Sequence, residues 1–146
     1  YARSAEAYRR ALDLDEGDPY NWIGLSAALA GIPGREADAR SALVRATTEA
    51  ETKLAVNPND ADLLAQTASA YADLGREADA RRSIERALDL ARDNVFVLLD
   101  AALVYRSLGD EVLARRWLQS AIEAGLSEEE VMADPQLKTI LQPIEG

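Results

Sequence analysis

The side chains that could do chemistry in this chain are carboxylates, tyrosines, serines and lysines, because the sequence contains neither cysteine nor histidine. This composition excludes zinc fingers, thiol nucleophiles, Ser-His-Asp triads and the commonest transition-metal ligands. Two carboxylates can serve as general acid and base where their surroundings separate their pKa values. Nearly all of the 26 acidic residues, however, fall on expected solvent faces or at helix caps. We therefore expect no enzymatic activity and no cofactor.

The densest acidic run is Glu128-Glu129-Glu130, which directly follows Ser127. A serine followed by glutamate three positions later is a capping box, and acidic residues are favoured in the first turn of a helix. Adjacent positions on a helix do not converge on one ion. We therefore predict a helix start here and no metal site.

The helices that must carry these side chains recur along the chain. Apolar and small residues in the stretch 61–90 return 34 positions later with the same size. The matched pairs are Leu64 and Leu98, Tyr71 and Tyr105, Leu74 and Leu108, Gly75 and Gly109, Ala80 and Ala114, Ile84 and Leu118, Ala87 and Ala121, and Leu88 and Ile122. A fixed period of this length indicates a repeat array. Spacings of three and four predict two amphipathic helices in each copy, and copies must stack to bury those faces.

These residues resemble the pattern of the tetratricopeptide repeat (TPR) family, in which small and large apolar residues alternate along a helix-turn-helix unit. Thr67 and Arg92 depart from that pattern, since Arg92 stands where a proline usually closes the repeat. Neither residue removes the helical periodicity. The resemblance implies an all-α fold, an α-solenoid of stacked helix-turn-helix repeats, and a scaffold that binds other proteins.

We expect a single TPR domain over residues 1–146. Its predicted parts are the second helix of a truncated repeat (1–16), a repeat with an extended second helix (19–58), two further repeats (61–92 and 95–125) and C-terminal capping helices (127–141). The truncated start predicts that the chain is a fragment of a longer protein. Five apolar residues are expected to cover the last repeat: Val131, Met132, Leu137, Ile140 and Leu141.

The repeat at 19–58 contains seven residues more than its neighbour in its second helix. Seven residues are close to two helical turns and keep the apolar stripe nearly on one face. We predict one helix from Arg35 to Val56, roughly 33 Å long at 1.5 Å per residue. We expect the extension to protrude from the array as a tolerated duplication, although a docking element is the alternative. Deleting Thr47 to Lys53 should then leave stability nearly unchanged.

Resemblance to the TPR family places the binding surface in a groove lined by the first helix of each unit. The positions are Tyr20, Ile23, Gly24 and Ala27; Asp62, Ala65, Gln66 and Ser69; and Phe96, Leu99, Asp100, Leu103 and Arg106. One TPR subgroup holds a terminal carboxylate with lysine, asparagine and arginine. At the corresponding positions this chain has Ile23, Ala27, Gln66, Phe96 and Asp100, so that activity is not expected. The predicted groove is apolar at both ends and neutral in the middle. It suits an amphipathic helix or an apolar extended segment.

The predicted partner is therefore another protein or peptide segment, and a second copy or the chain's own tail are the alternatives. A net charge of −10 argues against nucleic acid. No run of 18 apolar residues occurs, so we expect no membrane span. The second hypothesis for function is a C-terminal regulatory or oligomerisation domain of a larger bacterial signalling protein, such as a kinase, cyclase or transcription regulator. The compartment stays open, with the cytoplasm slightly favoured over the periplasm.

Overall fold

The computed structural model describes residues 1–142, in which nine α-helices and no strand occur. The helices are α1 (Ala2–Leu14), α2 (Pro19–Ala30), α3 (Glu36–Val56), α4 (Ala61–Asp73), α5 (Glu77–Leu90), α6 (Val95–Ser107), α7 (Glu111–Glu123), α8 (Glu128–Ala133) and α9 (Pro135–Leu141). The predicted all-α helical-repeat class is confirmed. The chain divides into two compact units, Tyr1–Pro58 and Asn59–Gly146. The prediction of one domain over 1–146 stays a prediction.

In the first unit, α2 packs against both α1 and α3. Its core is built from alanine and leucine: Ala5, Leu12, Leu25, Ala28, Leu29, Ala39 and Ala42. Gly24 within α2 and Gly31 directly after it allow α1 and the preceding Tyr1 to approach closely. A Cβ atom on Gly24 would lie 2.3 Å from the ring of Tyr8, and one on Gly31 would lie 2.4 Å from the ring of Tyr1. Gly24 is therefore a packing residue, and its predicted place in a groove is wrong.

The turn between α1 and α2 is held to α3 by Arg45. Its guanidinium lies 3.1 Å from the carboxylate of Glu16 and 3.0 Å from that of Glu49. The same group lies over the ring of Trp22, 5.3 Å from the centroid. The Trp22 indole N–H in turn donates a hydrogen bond of 2.7 Å to the carbonyl of Glu16. The start of α2 is thus fixed against the middle of the long helix.

The predicted long helix is present as α3, which has 21 residues. It is seven residues longer than the 14-residue α5, and alignment of Glu36 with Glu77 places the added residues at 50–56, after the buried middle of α3. Ala46, Thr47 and Ala50 are each exposed by 3% or less. Val56, in the last turn, is 87% exposed. Of the added residues, Ala50 is buried, Leu54 is partly buried and the other five are exposed, so the protrusion of the extension stays a prediction.

The second unit contains two helical hairpins, α4 with α5 and α6 with α7, and α6 packs against both α4 and α5. All the residues at the repeat's pattern positions are buried, with at most 8% of each exposed. They are Leu64, Thr67, Ala68, Tyr71, Ala80, Ile84 and Ala87 in the first hairpin, and Leu98, Ala101, Ala102, Tyr105, Ala114, Leu118 and Ala121 in the second. Because small residues meet large ones at these positions, the two helices of a hairpin can pack closely.

Both hairpins reverse direction at a glycine in the left-handed region. Gly75 and Gly109 each have φ of 77°. After Gly75, the N–H of Arg76 donates to the carbonyl of Tyr71 at 2.8 Å, and the corresponding bond follows Gly109. This is the Schellman closure of a helix end, which satisfies carbonyls that the helix leaves without partners. The predicted helix ends at both glycines are confirmed.

The predicted capping box starts α8. The Glu130 N–H donates to the Ser127 hydroxyl at 3.2 Å, and the Ser127 N–H donates to the Glu130 carboxylate at 2.9 Å. Hydrogen bonds from the Ser127 backbone and side chain lower the pKa of Glu130 below its ordinary value. The acidic run therefore begins a helix, as predicted.

The last helix, α9, packs against α6 and α7. Leu137 and Ile140 of α9 are buried, as is Val131 of α8, which is expected of a capping segment. Met132 and Leu141 are 57% and 39% exposed, so they are covered less than the other three residues of the predicted cap. The preceding short helix, α8, packs against α9.

Candidate functional site

The first helices of the two hairpins, α4 and α6, lie side by side in the second unit. Their remaining accessible side is called the α4/α6 face. It comprises Asp62, Gln66, Ser69, Phe96, Leu99, Asp100, Leu103 and Arg106. The Gln66 side-chain N–H donates to Oδ2 of Asp100 at 3.1 Å. Since these residues are 34 positions apart, the bond joins equivalent positions of successive repeats.

Asp100 occupies an unusual environment for a carboxylate. Burial raises its pKa, the hydrogen bond from Gln66 lowers it, and the nearby charge of Asp62 raises it; together they place the pKa at about 6. Within residues 1–142, neither Asp62 nor Asp100 forms an ion pair with arginine or lysine. The face therefore contains two carboxylates that have no ion-pair partner among the described residues.

Apolar side chains stand on α6 beside these carboxylates. Phe96 is 74% exposed, which is unusual for the only phenylalanine of the chain. Leu99 and Leu103 follow at spacings of three and four and are partly buried. Arg106 is partly buried in the last turn, where its charge also suits the helix dipole. Phe96, Leu99 and Leu103 form an apolar stripe that is accessible from outside.

The part of α4 in this face is narrower than the sequence predicts. Ala65 is fully buried, with 0% exposed, so it cannot contact a partner in this structure. The physical reason is that α4 packs against α5 and α6 and buries more than half of its 13 residues. Gln66 and Ser69 keep partly accessible side chains, and Asp62 is exposed.

Three predicted groove residues belong to the first unit and are described separately. Tyr20 is 43% exposed in the first turn of α2. Ile23 is partly buried, and Ala27 is exposed one turn later. They lie on α2 between residues that pack against α1 and α3. Their role in binding stays a prediction.

The proximity of Asp62 and Asp100 was not predicted from the sequence. The middle of the groove is predicted to be neutral when each helix is taken alone, because α4 and α6 each contribute one aspartate there. Gln66 and Asp100 are one repeat period apart in the sequence, and this spacing could have predicted that they are neighbours on adjacent helices. Applying the same period one turn earlier pairs Asp62 with Phe96.

The arrangement does not resemble a metal centre or a membrane-spanning element. Over residues 1–142, no group of three or more acidic side chains could hold a metal ion. In the same part of the chain, no helix is both long enough and apolar enough to cross a bilayer. What the α4/α6 face offers is an apolar stripe bordered by carboxylates, a combination suited to contact with another polypeptide.

Comparison with known families gives one result. The family described as Tetratricopeptide repeat matches residues 61–94, which cover α4, α5 and the turn that leads to α6. A search of curated proteins gives no match to the chain. Repeats of this family generally mediate protein–protein interaction, and its members are typically non-enzymatic scaffolds. The match supports a tetratricopeptide repeat at residues 61–94, and the hairpin of α6 and α7 repeats its buried positions 34 residues later.

Proposed function

We propose that the chain is a non-enzymatic scaffold that binds an apolar or amphipathic segment of another protein on the α4/α6 face. The observation that carries this proposal is the exposed ring of Phe96 beside Leu99 and Leu103. Packing of the two hairpins does not need that ring, because buried residues already occupy every pattern position. Exposed apolar clusters of this kind mark interaction sites more often than isolated apolar residues do.

Spacings of three and four suit a helical ligand. An amphipathic helix presents apolar residues at the same intervals and can lay that stripe along a groove. An apolar extended segment can also contact Phe96, Leu99 and Leu103, since their side chains follow one another along α6. In either case we expect the aromatic ring to contribute most, because a few central side chains dominate peptide interfaces.

The proposal can be tested with a display library of random 16-residue peptides selected against the wild-type protein. Affinities of the enriched peptides are then measured for wild type, Phe96→Glu and Val112→Glu. Val112 is the matched control, because it is 70% exposed on α7 and lies outside the α4/α6 face. Phe96→Glu should weaken binding at least about thirtyfold, as expected of a central interface residue. Equal affinities for all three proteins, or no enriched peptide, would contradict the proposal.

The second hypothesis, a regulatory or oligomerisation domain of a larger signalling protein, stays a prediction. It requires the same face to contact another part of that protein or a second copy. Light scattering on wild type and Phe96→Glu distinguishes self-association from binding to a different chain, because only a dimer formed through this face would dissociate in the variant.

A further inference from the structure

We propose that the segment bound on the α4/α6 face carries a lysine or arginine beside its apolar residues, and that this basic side chain packs along Phe96 and reaches Asp62 and Asp100. The inference rests on the function proposed above and specifies the chemistry of the partner. It follows from the position of three side chains and from the charge balance of α4 and α6.

Phe96 shares the α4/α6 face with two carboxylates, Asp62 and Asp100. Phe96 and Asp100 are four residues apart on α6 and therefore share one side of that helix. The Gln66–Asp100 hydrogen bond sets the register between α4 and α6. One turn earlier, Asp62 and Phe96 are likewise 34 positions apart and occupy equivalent positions of the two repeats. The charge of Asp62 acts on Asp100, which agrees with this placement.

The helices α4 and α6 together carry more acidic than basic residues. Together α4 and α6 contain three aspartates, Asp62, Asp73 and Asp100, and a single basic residue, Arg106. Four other arginines of this unit pair with carboxylates of the second helices and turns: Arg76, Arg81, Arg82 and Arg92. For example, Arg81 lies 3.8 Å from Asp110, and Arg82 lies 3.3 Å from Asp79. The α4/α6 face therefore keeps a net negative charge that a basic side chain complements.

A long basic side chain of the bound segment suits the α4/α6 face. Lysine and arginine have apolar stems that pack on apolar surface while the charged head reaches a polar group. A head group near the face of Phe96 also gains a cation–π contact. Gln66 donates to only one oxygen of Asp100, so the carboxylate can accept further hydrogen bonds. A carboxylate at the same place in the ligand would instead be repelled by both aspartates.

The test starts from the peptides selected on wild type. In each enriched peptide, the basic residue nearest the apolar stripe is replaced by glutamine, and both versions are titrated against three proteins. These are wild type, the double variant Asp62→Asn with Asp100→Asn, and the double variant Glu111→Gln with Glu123→Gln. The last is a control with the same change in net charge on exposed residues of α7.

We expect enriched peptides to contain lysine or arginine next to apolar residues. Replacement by glutamine should weaken binding to wild type and to the α7 control by at least about tenfold. For the Asn double variant the two peptide versions should bind within about twofold of each other. Raising NaCl from 50 to 500 mM should weaken the basic peptide on wild type, since salt screens exposed charges.

Three outcomes would overturn the inference. Enriched peptides without a basic residue, or a loss on glutamine replacement that persists in the Asn double variant, would contradict it while leaving the proposed function intact. A lack of any peptide enriched over the Phe96→Glu protein would contradict the proposed function as well. A wild-type dimer that Phe96→Glu dissociates would show that a second copy occupies the face.

Discussion

Gln66 and Asp100 are equivalent residues of successive repeats, and a hydrogen bond of 3.1 Å joins their side chains. The bond fixes which side chains of α4 and α6 lie next to each other. It also holds a carboxylate in a partly buried position near a second carboxylate, Asp62. The same contact therefore has consequences for stability and for recognition.

The first prediction concerns the pH dependence of stability. Asp100 has a folded-state pKa of about 6, above the ordinary value of 3.8, so the folded protein binds this proton more tightly than the unfolded chain. Its contribution to the free energy of unfolding should therefore rise as the pH falls from about 6 to about 4. Above about pH 6 the ionised carboxylate is destabilising.

Asp100→Asn should consequently raise stability at pH 7 by about 1 to 3 kcal/mol, because a pKa difference of about two units corresponds to at most about 3 kcal/mol. The asparagine carbonyl can still accept the hydrogen bond from Gln66. Urea melts of both proteins between pH 4 and pH 7 give the difference directly. A difference that stays constant with pH would contradict the assignment to Asp100.

The second prediction concerns the contact between Gly24 and Tyr8. In a helix interior, replacing glycine by alanine normally stabilises by about 1 kcal/mol. Here the new Cβ would meet the Tyr8 ring, so Gly24→Ala should destabilise wild type by about 1 to 3 kcal/mol. In a Tyr8→Ala background the same substitution should stabilise, and a double-mutant cycle measures this change of sign.

Gly17→Ala is the control for that cycle. A Cβ atom added at Gly17 would have Asp15 Oδ1 as its nearest neighbour, at an ordinary contact distance of 3.4 Å. It should change stability by less than about 0.5 kcal/mol. If Gly24→Ala stabilises equally in both backgrounds, α1 does not pack against α2 as described.

The third prediction concerns the core of the matched repeat. Tyr71 is 6% exposed between alanine-rich helices, so Tyr71→Ala should cost about 3 to 5 kcal/mol. Phe96→Ala removes an aromatic ring of similar size that is 74% exposed, and it should cost less than about 1 kcal/mol. Denaturant melts of the two variants compare a buried with an exposed aromatic residue. Similar costs would mean that the assigned repeat register is wrong.

The fourth prediction compares the buried middle of α3 with its exposed end. Ala50→Glu would place a carboxylate where only 1% of the residue is exposed, and it should cost at least about 3 kcal/mol. Ala55→Glu, five residues later on the exposed end of the same helix, should change stability by less than about 0.5 kcal/mol. Equal effects in thermal melts would show that the middle of α3 is accessible after all.

Much of the second unit could be predicted from the sequence because the repeat period determines which residues are buried. Leu64, Tyr71 and their partners 34 positions later are buried, and the helices end at Gly75 and Gly109 as expected. Local signals were equally informative at the Ser127 capping box. Periodicity and capping are properties of single helices, so they can be read without knowledge of the packing.

Contacts between helices were harder to predict. The burial of Ala65 depends on how closely α5 and α6 approach α4, and the approach of Tyr8 to Gly24 depends on two residues on different helices. The environment of Asp100 likewise requires the register between α4 and α6. The extension of α3 preserves the apolar phase, but phase does not determine whether the added turns are covered.

The central claim is that the α4/α6 face binds a polypeptide segment, and backbone amide chemical shifts test it most directly. A peptide from the selection is titrated into isotopically labelled protein, and the shifts of all assigned amides are followed. We expect the largest changes in chemical shift in α6, from Phe96 to Arg106, and smaller changes around Asp62 and Gln66. Changes confined to α5 and α7, with α6 unaffected at saturation, would contradict it.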